Sequence, residues 1–242
     1  MHILVISDIH ANIDALEAVL TEAGEVDATW CLGDLVGYGP NPNDCVFRVQ
    51  HLPNLVCLIG NHDAASIDQI GTETFNYEAS QAILWTKRTL SQPHKDYLLT
   101  LPSIITVGQF TLAHGSPRQP IWEYLLDTYT ATQNFACFDT PYCIVGHSHI
   151  PLIYQLMDGS TSADLNIPQA QHLMQLEPRA ILNPGSVGQP RDRDPRASYA
   201  ILDTDQLTWE IHRVPYDIQA VQDKMEKENL PERHIHRLST GW

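Results

Sequence analysis

The sequence predicts an α/β protein in which two β-sheets lie face to face with helices on their outer sides. Three observations carry that expectation. The chain opens in β-α-β order, its second half is richer in strands, and five short apolar runs stop abruptly at Asp, Asn or His. Runs this short and rich in Val, Ile and Leu read as buried strands. With 242 residues and 43% hydrophobic content the chain can bury one sizeable core. No linker, low-complexity tract or repeat divides it, so residues 1–242 read as a single domain.

The first run covers residues 3–6 and is followed by Ile13, Leu16, Val19 and Leu20 at helical spacing, with Asn12 as candidate cap and Gly24 near the stop. A right-handed crossover then leads to a parallel strand over residues 28–32. Asn41-Pro42 has the cap and first-turn chemistry of a second helix, carrying Val46 and Val49 toward a strand over residues 55–59. Residues 78–101 are helical again, with Ile83, Leu84 and Leu90 on apolar faces and a break at Pro93. The whole of 66–102 reads as a helical cover over one sheet edge. Gly108-Gln109 joins Ile104–Val107 to Phe110–Ala113 as a hairpin, and further strands fall at 142–145, 151–156, 180–182, 198–202 and 207–214. Between them, residues 158–169 hold Gly159, Ser160, Thr161, Ser162 and Pro168, the composition of an exposed excursion. Asp217 caps a helix over 218–228 whose charges form a solvated face, within a C-terminal helical segment spanning about 217–238.

Charge excludes several classes of partner. Lys+Arg 14 against Asp+Glu 29 gives a net charge of −15, which repels phosphate backbones and acidic membranes at long range. Extended nucleic acid and membrane are therefore not expected as partners. Cys31, Cys45, Cys57, Cys137 and Cys143 form no C-x-x-C pair and are odd in number, so reduced and mostly buried thiols are expected. The first strand begins at His2 with no basic or apolar leader ahead of it, and no run reaches the length of a membrane span. A cytoplasmic location is the expectation.

The polar residues that end the five runs are the informative ones. They are Asp8 and His10, Gly33-Asp34, Gly60-Asn61-His62-Asp63, His114, and Gly146-His147-Ser148-His149. In open α/β sheets the functional crevice lies beyond the carboxyl ends of the strands, where all five clusters fall. Carboxylate, imidazole and amide suit Mn, Fe and Zn, and the set is large enough for two ions, with Asp34 able to bridge them through its two oxygens. A lone histidine such as His114 is more often structural than a ligand, but here it has company. His2, His51, His94, His172, His212, His234 and His236 have none and read as surface residues.

In order and approximate spacing, this series resembles the calcineurin-like metallophosphoesterases. The stretch Asn183-Pro184-Gly185-Ser186-Val187-Gly188-Gln189-Pro190-Arg191 is similar to a small prokaryotic, phosphodiesterase-like branch of that superfamily. The resemblance implies a four-layer αββα sandwich, with two mixed sheets flanked by helices and a dinuclear centre. It implies a first metal on Asp8, His10, Asp34 and His149, and a second on Asp34, Asn61, His114 and His147. His62 would stand free of both, close to the leaving group. Two cations clamp the attacking and leaving oxygens of an in-line displacement and acidify the attacking water, giving a metal-bridged hydroxide as nucleophile. Manganese or iron is expected, with zinc, cobalt and nickel as alternatives. His62 suits proton donation to the leaving oxygen. Asp63 either holds that imidazole or, the favoured alternative, caps the helix that follows.

The serine/threonine protein phosphatases of the superfamily continue the second motif with Asp-Arg-Gly, where this chain has Gly37-Tyr38-Gly39, and their third with Glu, where it has Asp63. Their phosphate-gripping arginine is missing. A phosphodiesterase or phosphomonoesterase of small molecules is therefore the leading expectation, with dinucleoside polyphosphate hydrolase or protein phosphatase as alternatives and a non-catalytic scaffold behind them. The substrate would be a small phosphorylated compound or a dinucleotide. Arg191, Arg196 and Arg118 are candidates to replace the missing arginine, and Tyr38 lies on a Gly-rich loop facing the crevice. Trp122 and Tyr124 either line a substrate pocket or pack a helix.

Overall fold

The computed structural model describes residues 1–242. In chain order the elements are β1 (His2–Ile6), α1 (Ile13–Ala23), β2 (Ala28–Cys31), α2 (Pro42–Gln50), β3 (Val56–Cys57), α3 (Asn61–Ser66), α4 (Tyr77–Thr89), α5 (Gln92–Leu98), β4 (Ile104–Val107), β5 (Phe110–Ala113) and α6 (Thr128–Asn134). They continue as β6 (Tyr142–Ile144), β7 (Pro151–Gln155), β8 (Asp164–Asn166), β9 (Met174–Gln175), β10 (Ala180–Pro184), β11 (Ala197–Asp203), β12 (Thr208–Val214), α7 (Ile218–Lys227) and α8 (Glu232–Thr240).

Two mixed six-stranded sheets result, one in the order β3-β2-β1-β11-β12-β9 and the other β4-β5-β6-β10-β7-β8. The β1–β2–β3 run is parallel, as the opening β-α-β pattern requires, and so is β5–β6–β10. Strand alternation explains the layering. Ile3 and Val5 of β1 join Trp30, Leu112, Ile144, Leu182 and Trp209 in the core between the sheets, whereas Leu4 and Ile6 pack outward on Leu16, Val19, Val46 and Val49 of α1 and α2. Each fully buried side chain of this size contributes about 1.5–3 kcal/mol relative to exposure. On the far face of the second sheet, Phe135, Phe138 and Ala131 cover Cys143, Leu152, Tyr154 and Ile181. The architecture is the expected αββα sandwich.

Local chemistry sets the boundaries. The Asn12 side chain accepts from Ala15 N–H at the start of α1, and Asp217 accepts from Ala220 N–H at the start of α7. The helical stretch breaks at Leu90-Ser91, between α4 and α5, and Pro93 falls not at the break but in the first turn of α5, where its missing N–H costs nothing. Three further features differ from expectation. The 158–169 excursion contains exposed β8, because its backbone finds partners on β7. The α7 face is not merely solvated, since Lys224 pairs with Asp14 of α1 at 2.6 Å. Helix α6 lacks strong helix formers and was not legible; an Asp127 cap and burial of Ala131 hold it. All five cysteines are free and four are buried, Cys137 being exposed. No helix is long and apolar enough to cross a membrane.

Candidate metal centre

Every motif residue lies beyond the carboxyl end of a strand: Asp8 after β1, Asp34 after β2, Asn61 at the start of α3 after β3, His114 after β5, and His147 and His149 after β6. The backbone turns sharply to aim them. Asp8, His10, Asp34, His147 and His149 all have φ between +48° and +63°, a left-handed conformation that costs a non-glycine residue roughly 1–3 kcal/mol. Hydrogen bonds from Asp8 N–H to Gly33 C=O at 3.1 Å and from His10 N–H to Asp34 C=O at 2.9 Å hold two of these turns together. Gly60 must be glycine here, because a Cβ would overlap Asp34 Oδ1.

Each carboxylate has one oxygen tied and one left over. Asp8 Oδ2 accepts from His147 N–H at 3.0 Å, and Asp34 Oδ1 accepts from His62 N–H at 2.9 Å. Their partners, Asp8 Oδ1 and Asp34 Oδ2, are buried with no hydrogen bond. A buried carboxylate oxygen without a donor is costly unless a cation meets it. What faces these oxygens is imidazole nitrogen. Asp8 Oδ1 is 3.3 Å from His149 Nε2 and 3.9 Å from His10 Nε2, while Asp34 Oδ2 is 3.6 Å from His10 Nε2 and 3.4 Å from His114 Nε2.

The imidazoles are oriented from behind. Nδ1 of His10, His114 and His149 donates to the carbonyls of Val36, Leu32 and Gln189 at 3.1, 2.9 and 2.5 Å, which turns each Nε2 inward. His10 Nε2 and His149 Nε2 then stand 3.2 Å apart, and His114 Nε2 lies 3.2 Å from both Asn61 Oδ1 and His147 Nδ1. Ligand atoms at about 2.1 Å from a shared cation and at right angles stand about 3 Å apart, so these spacings fit such a shell. Three groups of ligand-type atoms lie together, Asp8/His10/His149, His10/Asp34/His62 and Asp34/His114/His147, and the middle one joins the outer two through His10 and Asp34. Of the two Asp34 oxygens expected to bridge, Oδ1 accepts from the His62 amide and Oδ2 faces both outer groups.

Electrostatics favour neutral imidazoles at three of the four histidines, His114 being the exception. Burial holds His10, His147 and His149 well below the usual histidine range. Burial also pushes Asp8 up to about 7, helped by repulsion from Asp34 and opposed by His114. Burial would raise Asp34 too, but His114, His62 and His10 outweigh it and keep its carboxyl below the normal range. At His114 burial acts downward and the adjacent Asp34 charge wins, lifting it to about 9; a cation would compete for that same nitrogen.

Around this centre the remaining candidates separate. A ring nitrogen of His62 lies within 4.8 Å of the ligand atoms of His10 and Asp34, its Nδ1 has no partner, and burial pushes it down to about 4. Gly37 leaves room for it, since a Cβ there would meet His62 Nδ1 at 2.6 Å. Asp63 caps rather than holding His62: its two oxygens accept from the N–H groups of Val36 and Gly60, both at 3.0 Å. Tyr38 packs its buried ring between His10, His62 and His234, at centroid distances of 4.6, 4.3 and 4.3 Å. Tyr124 stacks on His147 at 3.8 Å and lines a cavity beside the centre, whereas Trp122 packs on Phe75.

Of the three arginines only Arg191 reaches the site. It lies over Tyr38 at 5.8 Å, and its charge acts on Asp8, His10 and His149. Arg118 is corrected: it is paired with Glu123 and bonded to Gln133 on the surface. Arg196 is corrected likewise, because its guanidinium forks onto Asp194 at 2.6 and 3.0 Å. Arg193 stacks instead on Trp242 at 4.8 Å. Among the histidines assigned to the surface, His234 is 1% exposed on α8 with neither ring nitrogen partnered, and His212 is half-buried against Tyr199. The amphipathic pattern of α8 was the missed signal, since only its packing on Tyr38 makes His234 part of this site.

Residues 1–207 match the family model of the calcineurin-like phosphoesterase superfamily domain. The chain is 39% identical over 246 residues to the uncharacterized protein MJ0912 of Methanocaldococcus jannaschii, covering 99% of this chain and 98% of that one. Among solved structures it is similar to a metallophosphoesterase from Sphaerobacter thermophilus, with 46% identity, 100% and 99% coverage and a TM-score of 0.91. The hypothetical protein PH1004 from Pyrococcus horikoshii OT3 shares the fold, with 22% identity, 100% and 98% coverage and a TM-score of 0.81.

Proposed function

The chain belongs to the calcineurin-like phosphoesterase superfamily, and on that footing we propose that it hydrolyses diesters or monoesters of phosphate in small molecules with two divalent cations. The observation that carries this reading is Asp34 Oδ2, a buried and unpartnered oxygen 3.6 Å from a nitrogen of one ligand group and 3.4 Å from a nitrogen of the other. Asp8, His10, Asp34 and His149 would hold one cation, and Asp34, Asn61, His114 and His147 the other. Mixed nitrogen and oxygen donors suit manganese or iron, and zinc, cobalt or nickel also bind such a set. When bound, the cations supply Lewis acidity at the phosphoryl oxygens and lower the pKa of the attacking water.

The protein's own groups do the rest. Arg191 presents paired N–H donors to phosphate oxygens, the role for which arginine is better shaped than lysine. Tyr38 fixes the faces of His10 and His62 by packing between them. His62 faces the leaving oxygen. At about 4 its pKa leaves it neutral near pH 7, so it offers one N–H; a phosphate anion beside it acts to raise that value and to restore the second proton.

The test is to strip the protein with chelator, reload it separately with Mn, Fe, Zn, Co or Ni, and assay bis(p-nitrophenyl) phosphate and p-nitrophenyl phosphate. Two bound ions per chain and turnover of at least one ester are expected. Two ions with no turnover of either would overturn the assignment in favour of a binding scaffold.

A further inference from the structure

Beside the centre lies a cavity of about 430 Å³ lined by Tyr124, Ser148, Arg191, Arg233, Arg237 and Trp242 among others. Ser148 sits between ligands His147 and His149, and Tyr124 stacks on His147, so the cavity opens from the centre itself. Three arginines converge there in a chain whose net charge is −15, and none of the three pairs with an Asp or Glu side chain. Elsewhere four arginines pair with acids, Arg48 with Glu17, Arg118 with Glu123, Arg196 with Asp194 and Arg213 with Asp192, while Arg179 is met by main-chain carbonyls and Arg193 by the Trp242 ring.

Gln189 holds the cluster in place. Its side-chain oxygen accepts from Arg191 Nη2 at 2.9 Å and from Arg237 Nη1 at 3.4 Å, while its main-chain carbonyl takes the Nδ1–H of ligand His149. Because arginine only donates, the oxygen must be the end of this amide that faces it. Two like charges are thereby fixed side by side next to a metal ligand. Arg237 pairs with no Asp or Glu side chain, and its remaining bond goes from Nε to a terminal carboxyl oxygen of Trp242 at 3.0 Å. Buried Nε of Arg191 has no partner at all. Burial and the charges of Arg191 and Arg233 together hold the Arg237 pKa below its ordinary value.

We propose that this cavity is an anion subsite which receives a second phosphate of the substrate, beyond the phosphorus that is attacked, with Tyr124 and Trp242 flanking a flat or apolar body. Arg191 serves both phosphates from the boundary between centre and cavity, and Arg233 and Arg237 serve the outer one. The substrate class is then a compound with adjacent phosphates on an aromatic body, as in a nucleoside diphosphate unit. This rests on the hydrolytic reading above for the word substrate, but the anion site is testable without turnover.

The experiment compares ADP with AMP, both as competitive inhibitors of bis(p-nitrophenyl) phosphate hydrolysis and as ligands by calorimetry, for the metal-loaded wild type, Arg233→Gln and Arg237→Gln. Arg233 is exposed and its replacement leaves the core untouched. The wild type should bind ADP at least about tenfold more tightly than AMP, the value of one charge-assisted hydrogen bond, and each variant should lose most of that preference. Equal affinity for ADP and AMP in the wild type, or variants that weaken both nucleotides alike, would overturn the subsite. If the wild type hydrolyses neither nitrophenyl ester, the hydrolytic reading fails while calorimetry still decides the anion site.

Discussion

A leaving alkoxide needs a proton as its bond to phosphorus breaks, whereas nitrophenolate departs without one. In the proposed reaction His62 gives that proton; one of its nitrogens lies near the side-chain atoms of His10 and Asp34, and burial pushes it down to about 4. Replacing it by alanine should therefore cost on the order of a hundredfold with an alkyl ester and much less with a nitrophenyl ester, with both cations retained. Equal losses on the two esters, or loss of metal, would make His62 a positioning residue. At this scale the sequence was most legible where chemistry is local to a strand end. Asp8, Asp34, Asn61, His114, His147 and His149 could be named because each follows a buried run. Arg118 and Arg196 could not be ranked against Arg191, because what removes them is competition from Glu123 and Asp194, and the outcome depends on side-chain geometry.

Among the elements, α1 was readable because its cap, its apolar spacing and the glycine near its stop all agree. Asn12 also does something that a cap alone does not imply. Its Oδ1 accepts from Ala15 N–H at 3.1 Å, and its Nδ2 donates to the carbonyl of Gly188 at 3.1 Å, tying α1 to the loop that carries Gln189 and Arg191. Asn12→Ala should lower stability by about 1–3 kcal/mol, more than a typical surface cap, with an unchanged denaturant slope. Denaturant unfolding with a loss below about 0.5 kcal/mol would show that the loop is held by other bonds. Helices α6 and α8 were harder for opposite reasons. The threonines of α6 argue against a helix, which packing overrides. The pattern of α8 is helical, yet His234 and Arg237 gain their meaning only where that helix lands, against Tyr38 and Gln189.

For the whole molecule, the centre is also a joint between layers. Asp8, His10, Asp34 and Asn61 follow strands of one sheet, while His114, His147 and His149 follow strands of the other. Cations held by both sets would cross-link the sandwich at one end and relieve the two unpartnered carboxylate oxygens, Asp8 Oδ1 and Asp34 Oδ2. Binding to the folded chain alone raises its stability by mass action, about 4 kcal/mol when the free metal is roughly a thousand times its dissociation constant. At about 2–4 °C per kcal/mol for a chain of this size, the melting temperature should rise by roughly 8–16 °C between chelator and saturating metal. Asp34→Asn separates this cross-link from a general ionic effect, because it removes the charge that both ligand groups share while leaving the surface unaltered. Its melting temperature with chelator should fall, because the charge that pairs with His114 is lost, and its response to metal should shrink to a small fraction of the wild-type shift. Differential scanning calorimetry with parallel metal analysis reads both numbers. A full wild-type shift in the Asn variant would place the stabilising cations somewhere other than around Asp34.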